Sequence, residues 1–148
     1  MAKQPEFRLE QILKYRKEVE RLHQLELAAA KVQQENTRAQ LKSEKNALDE
    51  LAKVYNQRQM EGIDAAELQL YGNFSMRKKK EIRNLGETLV GLEKVVKEKH
   101  EALITAAKEK KALEVFKEKK MRDLKHDQLI KERDFMDEIA VQSRGGKK

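Results

Sequence analysis

The chain has 148 residues, 40% of them charged, and its 33 Lys and Arg outnumber its 26 Asp and Glu to give a net charge of +7. With 39% hydrophobic and 5% aromatic residues, it is too polar for a layered globular core. It has no cysteine, which excludes a disulfide framework and thiolate catalysis, and no run approaches the ~18 apolar residues of a membrane span. The opening Met-Ala-Lys-Gln-Pro lacks the apolar core of a secretory signal. We therefore expect an all-α, cytosolic protein without an enzyme pocket.

Helix 1 is predicted over about residues 6–61, because Pro5 is the only proline and is tolerated in the first turn of a helix. Apolar residues then recur at helical spacing and define one stripe. Glu26, Gln33 and Glu44 fall on this stripe, which predicts a loosely packed or locally adjusted waist in its middle. The residues expected to face a partner helix are Ile12, Tyr15, Val19, Leu22, Ala30, Thr37, Leu41, Leu48, Leu51 and Tyr55.

A tight turn is predicted at residues 62–64. Gly62 can adopt the left-handed conformation that ends a helix, and Asp64 can cap the next one, with Glu67 three residues later as in a capping box. Residues 72–75 contain Gly72 and form a second weak point, at which helix 2 could kink.

Helix 2 is predicted over about residues 64–142 and shows the clearest heptads of the chain. Lys99 and Lys110 interrupt the heptads. Residues 143–148 are expected to be a basic tail, and the whole chain, 1–148, to be one coiled-coil domain. The heptad positions are Ile82, Leu85, Leu89, Leu92, Val96, Leu103, Ala106 and Leu113.

Antiparallel pairing about the turn places opposite each other residues whose numbers add to about 126. Because helix 1 begins only near Phe7, about 25 helical residues of helix 2 beyond Lys119 have no residue of helix 1 opposite them. The predicted fold is a long antiparallel two-helix coiled-coil hairpin with a C-terminal helical overhang. A lone helix of this length frays in water, so the overhang is either a docking element or a frayed arm. The glycine and cap at residues 62–64 argue against the alternative of a parallel dimer of continuous helices.

The basic excess lies mainly in the second half of the chain, within residues 77–83 and 108–125. Such clusters can bind nucleic acid or an anionic membrane surface. The alternative is a solvated coiled-coil face, because acidic residues such as Glu109, Glu114 and Glu118 are interleaved with the lysines.

Signatures of catalysis and of cofactor binding are missing from the sequence. It contains no phosphate-binding loop, no dinucleotide glycine fingerprint and no zinc-protease motif. His23, His100 and His126 are far apart, and none has a second ligand at metal-binding spacing. We expect no catalytic residue, no cofactor, no metal and no small-molecule substrate.

Three segments, in this order, resemble the FliJ family of flagellar type III export proteins. Residues 7–20 are similar to the family's F-x-L-x-x-x-L-x-x-R opening, and residues 62–74 to its G-I followed by Y-x-x-[YF]. The end of the chain, residues 109–120 and 132–140, resembles the family's K-x-L-E-x-L-K-E-K-K and E-x-x-x-x-D-E-x-A patterns. The resemblance covers essentially the whole chain.

This resemblance implies a non-enzymatic, cytoplasmic stalk or escort in flagellum biogenesis, and through it in chemotaxis. Its implied partners are the flagellar export ATPase hexamer, the cytoplasmic domain of the membrane export gate and export chaperones. The implied location is peripheral to the inner membrane at the flagellar base. We expect a monomer, with binding to nucleic acid or to an anionic membrane surface as the less favoured alternative.

Two groups of residues are candidate contacts for these partners. Tyr55, Tyr71 and Phe74 converge at the turn end and are expected to bind the gate or a chaperone, unless they only cap the coiled coil. Lys78 and Glu81 stand where the family is commonly apolar, so this surface is expected to be smaller or shifted. At the open end, the residues expected to bind the ATPase are Phe7, Leu124, Phe135, Glu138 and Ile139.

Overall fold

The computed structural model describes residues 4–145, with side chains from Arg8 onward. Two α-helices account for nearly all of these residues: α1, Gln4–Glu61, and α2, Ala65–Gly145. The helices pack against each other as a helical hairpin, and the described residues contain no strand. The predicted all-α hairpin is confirmed.

The turn between the helices forms as the local sequence predicts. Gly62 has a φ of 95°, in the left-handed region that glycine adopts at low cost. The carboxylate Oδ1 of Asp64 accepts a hydrogen bond of 2.9 Å from the backbone N–H of Ala66, as an N-cap should. The carbonyl of Asp64 accepts the first helical bond from Leu68 N–H, at 3.0 Å. The predicted capping box does not form among the described residues, because Asp64 accepts its bond from Ala66 and not from Glu67, and no bond from the Glu67 carboxylate to the Asp64 N–H occurs there.

The chain divides into two compact units, residues 21–104 and the residues up to 20 together with those from 105 onward. Within residues 21–104, the predicted heptad of α2 is confirmed. Half-buried residues recur along one face of α2 at coiled-coil spacing, and the residues between them are mostly exposed. The half-buried members are Ile82, Leu85, Leu89, Leu92, Val96, Lys99 and Leu103.

The second half of α1 also has the predicted phase, since Ala30 is buried and Thr37, Leu41, Leu48, Leu51 and Tyr55 are at least half buried. Of the two predicted forms of the waist, loosely packed or locally adjusted, the packing near residue 30 excludes the first, because Leu27 is buried beside Glu26 of the predicted stripe. Leu27 and Ala30 are only 7% and 6% exposed, among the lowest values of the described residues.

At the start of α1 three predicted positions are wrong, although Val19 is half buried as predicted. Ile12, Tyr15 and Leu22 were expected on the buried stripe, but they are 47%, 62% and 54% exposed. Leu13 is buried in their place. The prediction failed because it assigned the stripe from apolar residues alone, whereas charged side chains with partners on α2 also occupy the interface here.

Helix α2 continues without interruption through residues 72–75 and ends at Gly145, beyond the predicted end near residue 142. Within the unit that contains residues 105 onward, Ala106 is buried and Leu113 is half buried. From Glu118 to Gly145 every residue is exposed. We refer to residues 120–145 as the C-terminal arm.

Candidate functional site

Two of the three aromatic residues expected at the turn end contact each other across the helices. The rings of Tyr55 on α1 and Tyr71 on α2 have centroids 5.6 Å apart and planes inclined at 67°, an edge-to-face arrangement. The amide Nε2 of Gln59 donates a hydrogen bond of 2.9 Å to the hydroxyl of Tyr55. This contact agrees with the predicted pairing, because the numbers of the two tyrosines add to about 126.

Phe74 lies one helical turn beyond Tyr71 and is 39% exposed. Two cations lie near its ring: the guanidinium carbon of Arg77 is 6.0 Å from the centroid and the Nζ of Lys78 is 5.5 Å from it. Both distances fall in the range of cation–π attraction. We call Tyr55, Tyr71 and Phe74 the aromatic cluster.

Grooves flank the aromatic cluster on both sides of the interface between the helices. One, of about 400 Å³, has mainly apolar walls, and the second, of about 380 Å³, adds charged groups from both helices. Tyr71 takes part in both. The first groove is lined by Leu48, Leu51, Ala52, Tyr55, Leu68, Tyr71, Gly72 and Ser75. The second is lined by Leu51, Arg58, Glu67, Leu70, Tyr71, Phe74 and Arg77.

The charged residues that interrupt the two apolar stripes pair with one another in residues 21–104. The Nζ of Lys78 is 2.5 Å from a carboxylate oxygen of Glu44, and the two side chains are only 20% and 22% exposed. Lys99 pairs with Glu26 at 3.1 Å. In the sequence, Glu26, Glu44 and Lys99 are predicted to interrupt the apolar stripes. Their opposite charges, at numbers adding to within about four of 126, were the signal that could have identified the pairs.

Similar pairs occur in the unit formed by the first 20 residues and those from 105 onward. Lys110 lies 2.8 Å from Glu20, whose side chain is 15% exposed. A guanidinium nitrogen of Arg16 hydrogen-bonds Glu109 on α2. Each pair joins α1 to α2, so charge complementarity as well as apolar contact fixes which residues face each other.

These contacts shift the pKa values of four groups in the directions that ion pairing requires. The hydrogen bond from Lys117 lowers the pKa of Glu10 below its ordinary value, and the hydrogen bond from Lys99 does the same for Glu26. The hydrogen bond to Glu44 raises the pKa of Lys78, and the hydrogen bond to Glu20 raises that of Lys110. In all four cases the charged form of the group is favoured.

The residues expected at the open end lie on the C-terminal arm, except Phe7, whose side chain is outside the described residues. Leu124, Phe135 and Ile139 are 44%, 62% and 44% exposed, and Glu138 is exposed. The three apolar residues share one face, since Leu124 and Phe135 are three helical turns apart and Ile139 follows one turn later. The arm therefore presents an apolar stripe that is not covered by the described part of the chain.

In the described residues, no group of His, Asp and Glu is arranged to hold a metal ion. None of the described helices is long and apolar enough to cross a membrane. An aromatic cluster beside grooves and an uncovered apolar stripe on a helix are features of protein interfaces.

A sequence model of one protein family, described as flagellar FliJ protein, matches residues 5–148. The match includes both helices, the turn and the C-terminal arm. No curated protein and no solved structure is significantly similar to the chain.

Proposed function

This chain belongs to the flagellar FliJ protein family, a component of flagellar protein export, and from that premise we propose that it is a stalk and escort of the export machine. In this proposal the C-terminal arm binds the export ATPase ring, and the aromatic cluster binds the cytoplasmic domain of the export gate or an export chaperone. The protein acts in the cytoplasm beside the inner membrane and performs no chemistry of its own.

The uncovered C-terminal arm is the observation that carries the first part of the proposal. Every residue from Glu118 to Gly145 is exposed, yet the helix continues to Gly145 and carries Leu124, Phe135 and Ile139 on one face. An isolated helix of this kind gains stability only when its apolar face is buried. A single helix of ~10–12 Å diameter is also narrow enough to enter a ring of subunits.

Truncation after Lys119 tests the role of the arm. The shortened protein should stay folded, because the exposed arm makes few contacts with α1, but it should no longer stimulate the export ATPase. Circular dichroism reports the folding and phosphate release reports the stimulation. Full stimulation of the ATPase by the truncated protein would place the ATPase contact elsewhere. The next candidate is the start of α1, around residues 7–15.

Substitutions within the full-length arm make the same test sharper. Leu124→Ser with Phe135→Ser and Ile139→Ser should abolish stimulation, because burying this stripe contributes ~25 cal/mol per Å² of apolar surface. The matched control is Ile130→Ser with Val141→Ser, since these residues are also exposed but lie on the opposite face of the arm. Equal loss of ATPase stimulation in both variants would show that the arm acts through being helical and not through this stripe.

The aromatic cluster supports the second part of the proposal. Phe74 stays 39% exposed although it lines the second groove, and aromatic side chains carry much of the energy at protein interfaces. Phe74→Ala should weaken binding to the isolated cytoplasmic domain of the gate at least tenfold, measured by calorimetry. Val90→Ala, a control at a 66% exposed position distant from the turn, should leave binding unchanged. If Phe74→Ala binds normally, the cluster only closes the end of the hairpin.

Nucleic-acid binding remains the alternative function, and its dependence on salt distinguishes it. Affinity for duplex DNA should fall steeply as salt rises, whereas binding through apolar residues should change little. Several lysines of the basic segments are engaged with acidic partners, Lys78 with Glu44 and Lys110 with Glu20 among them. This pairing reduces the charge available to phosphates and favours the protein-binding function.

A further inference from the structure

Between the turn and residue 84, the face of α2 that points away from α1 combines exposed apolar residues with cations. Leu70 and Met76 are 68% and 71% exposed, among the highest values for apolar residues in this unit. Lys80 and Arg83 are exposed on the same side of the helix, and neither has an acidic partner in the described residues. We call this surface the outer tip face; its members are Leu70, Met76, Arg77, Lys80 and Arg83.

Helical geometry places these five side chains together. At 100° per residue they occupy about 140° of the helix circumference. The half-buried residues Tyr71, Ser75, Lys78 and Ile82 occupy the face toward α1. Met76, Lys80 and Arg83 therefore lie outside the interface between the helices, whereas Leu70 and Arg77 lie at its edge and line the second groove.

Charge on this segment is strongly one-sided. Glu81 is the only acidic residue between Gln69 and Asn84, and it lies 3.5 Å from Lys78, which is held at the interface between the helices. Glu87 lies one helical turn beyond Arg83, but no ion pair to Lys80 or Arg83 occurs in the described residues, and the cations of the outer tip face outnumber the carboxylates beside them. A surface with uncompensated positive charge attracts an anionic partner.

We propose that the outer tip face binds the surface of a bilayer that contains anionic lipids. Exposed leucine and methionine enter the boundary between headgroups and acyl chains, while lysine and arginine remain at the level of the phosphates. A polynucleotide would use the cations but would leave Leu70 and Met76 in water, so the apolar residues favour the lipid surface. Leu70 and Arg77 also line the second groove beside the aromatic cluster, so the experiment uses lipid vesicles alone, which separates this inference from the proposed binding to the ATPase and to the gate.

Flotation of the full-length protein with lipid vesicles tests the proposal without any export component. The protein should bind vesicles of phosphatidylglycerol and phosphatidylethanolamine and should not bind vesicles of phosphatidylcholine alone. Lys80→Glu with Arg83→Glu should lower the bound fraction at least about tenfold. The matched control, Lys94→Glu with Lys97→Glu, has the same spacing on exposed α2 positions outside the outer tip face and should change binding less than twofold.

A second pair of variants tests the apolar contribution. Leu70→Ser with Met76→Ser should lower binding severalfold without altering the net charge, whereas the control Val90→Ser should not. Thermal unfolding of each variant, followed by circular dichroism, shows that it is folded. Retained binding by the serine pair, together with equal binding to duplex DNA, would assign the face to nucleic acid and overturn the proposal. Equal losses for both charge-reversal pairs, or no binding to anionic vesicles, would also overturn it.

Discussion

Gly62 is the residue on which the reversal of the chain depends. Its φ of 95° is strained for any residue with a Cβ atom. We expect Gly62→Ala to lower the free energy of unfolding by about 1 kcal/mol, measured by urea titration. The control is Gly91→Ala, within α2 and with open space around its Cα, which should raise that free energy by up to about 1 kcal/mol through helix propensity.

These two glycine variants separate conformation from side-chain volume. Apart from the adjoining backbone, neither position has an atom within 4 Å of an added Cβ, so overlap with the rest of the fold cannot explain a difference between them. If Gly62→Ala were as stable as the natural chain, the turn would have to adopt another backbone conformation in solution.

Charge pairing between the helices gives a second prediction at the scale of single residues. Lys78→Glu should lower the melting temperature, because it places two carboxylates opposite each other at positions that are only 20% and 22% exposed. Adding Glu44→Lys should restore most of the loss, since the reversed pair can form across the same interface. Both effects are measured by thermal unfolding followed by circular dichroism.

A pair within one helix supplies the control for this charge swap. Lys53 and Glu50 lie 3.5 Å apart on α1, with side chains 75% and 72% exposed. Lys53→Glu should change the melting temperature little, because exposed pairs contribute little to stability. If Lys78→Glu with Glu44→Lys has a melting temperature no higher than that of Lys78→Glu alone, the pair does not help to align the helices.

At the scale of the elements, the phase of α1 decides which residues hold the hairpin together. Leu13 is 7% exposed and its neighbour Ile12 is 47% exposed. Leu13→Ala should therefore cost about 2–3 kcal/mol in the free energy of unfolding, and Ile12→Ala less than about 1 kcal/mol. Urea titration of both variants checks the difference. A larger cost for Ile12→Ala than for Leu13→Ala would show that α1 has the phase predicted from the apolar pattern alone.

Helix α2 was easier to predict than α1 for a physical reason. Its heptads place leucine, isoleucine and valine at regular spacing, so the apolar stripe defines the buried face without ambiguity. In the first half of α1, Ile12 and Leu13 are adjacent and polar residues such as Glu20 lie at the interface. Apolar spacing alone cannot choose between two neighbouring faces when charged residues with distant partners are also half buried.

For the whole molecule, the pKa shifts predict how stability depends on pH. The pKa values of Glu10 and Glu26 are lowered in the folded chain, so their contribution is present above the ordinary value of 4.5 and is lost as pH falls through the lowered values. The pKa values of Lys78 and Lys110 are raised, so their contribution is present below 10.5 and is lost as pH rises through the raised values. These four groups therefore favour the folded state most between about pH 5 and pH 10.

Thermal unfolding measured from pH 2 to pH 8 checks the acidic side of this prediction. The melting temperature should fall below about pH 4.5. Glu10→Gln with Glu26→Gln should make that fall smaller, because the two carboxylates no longer titrate. The control Glu118→Gln removes an exposed carboxylate for which no ion pair is described and should leave the fall unchanged. An identical fall in all three proteins would assign the acid sensitivity to other groups.

Features that depend on local spacing can be predicted from the amino-acid order alone. The all-α class, the turn at Gly62 and the heptads of α2 follow from residues within a few turns of one another, where caps and periodicity act. The order of the motifs also identified the family. The tertiary structure alone decided the phase of the first half of α1 and which charges pair. The residues of such pairs, Glu10 and Lys117 for example, are 107 positions apart. Their contribution exists only once the two helices lie side by side, because an ion pair stabilises through distance in space and not through spacing along the chain.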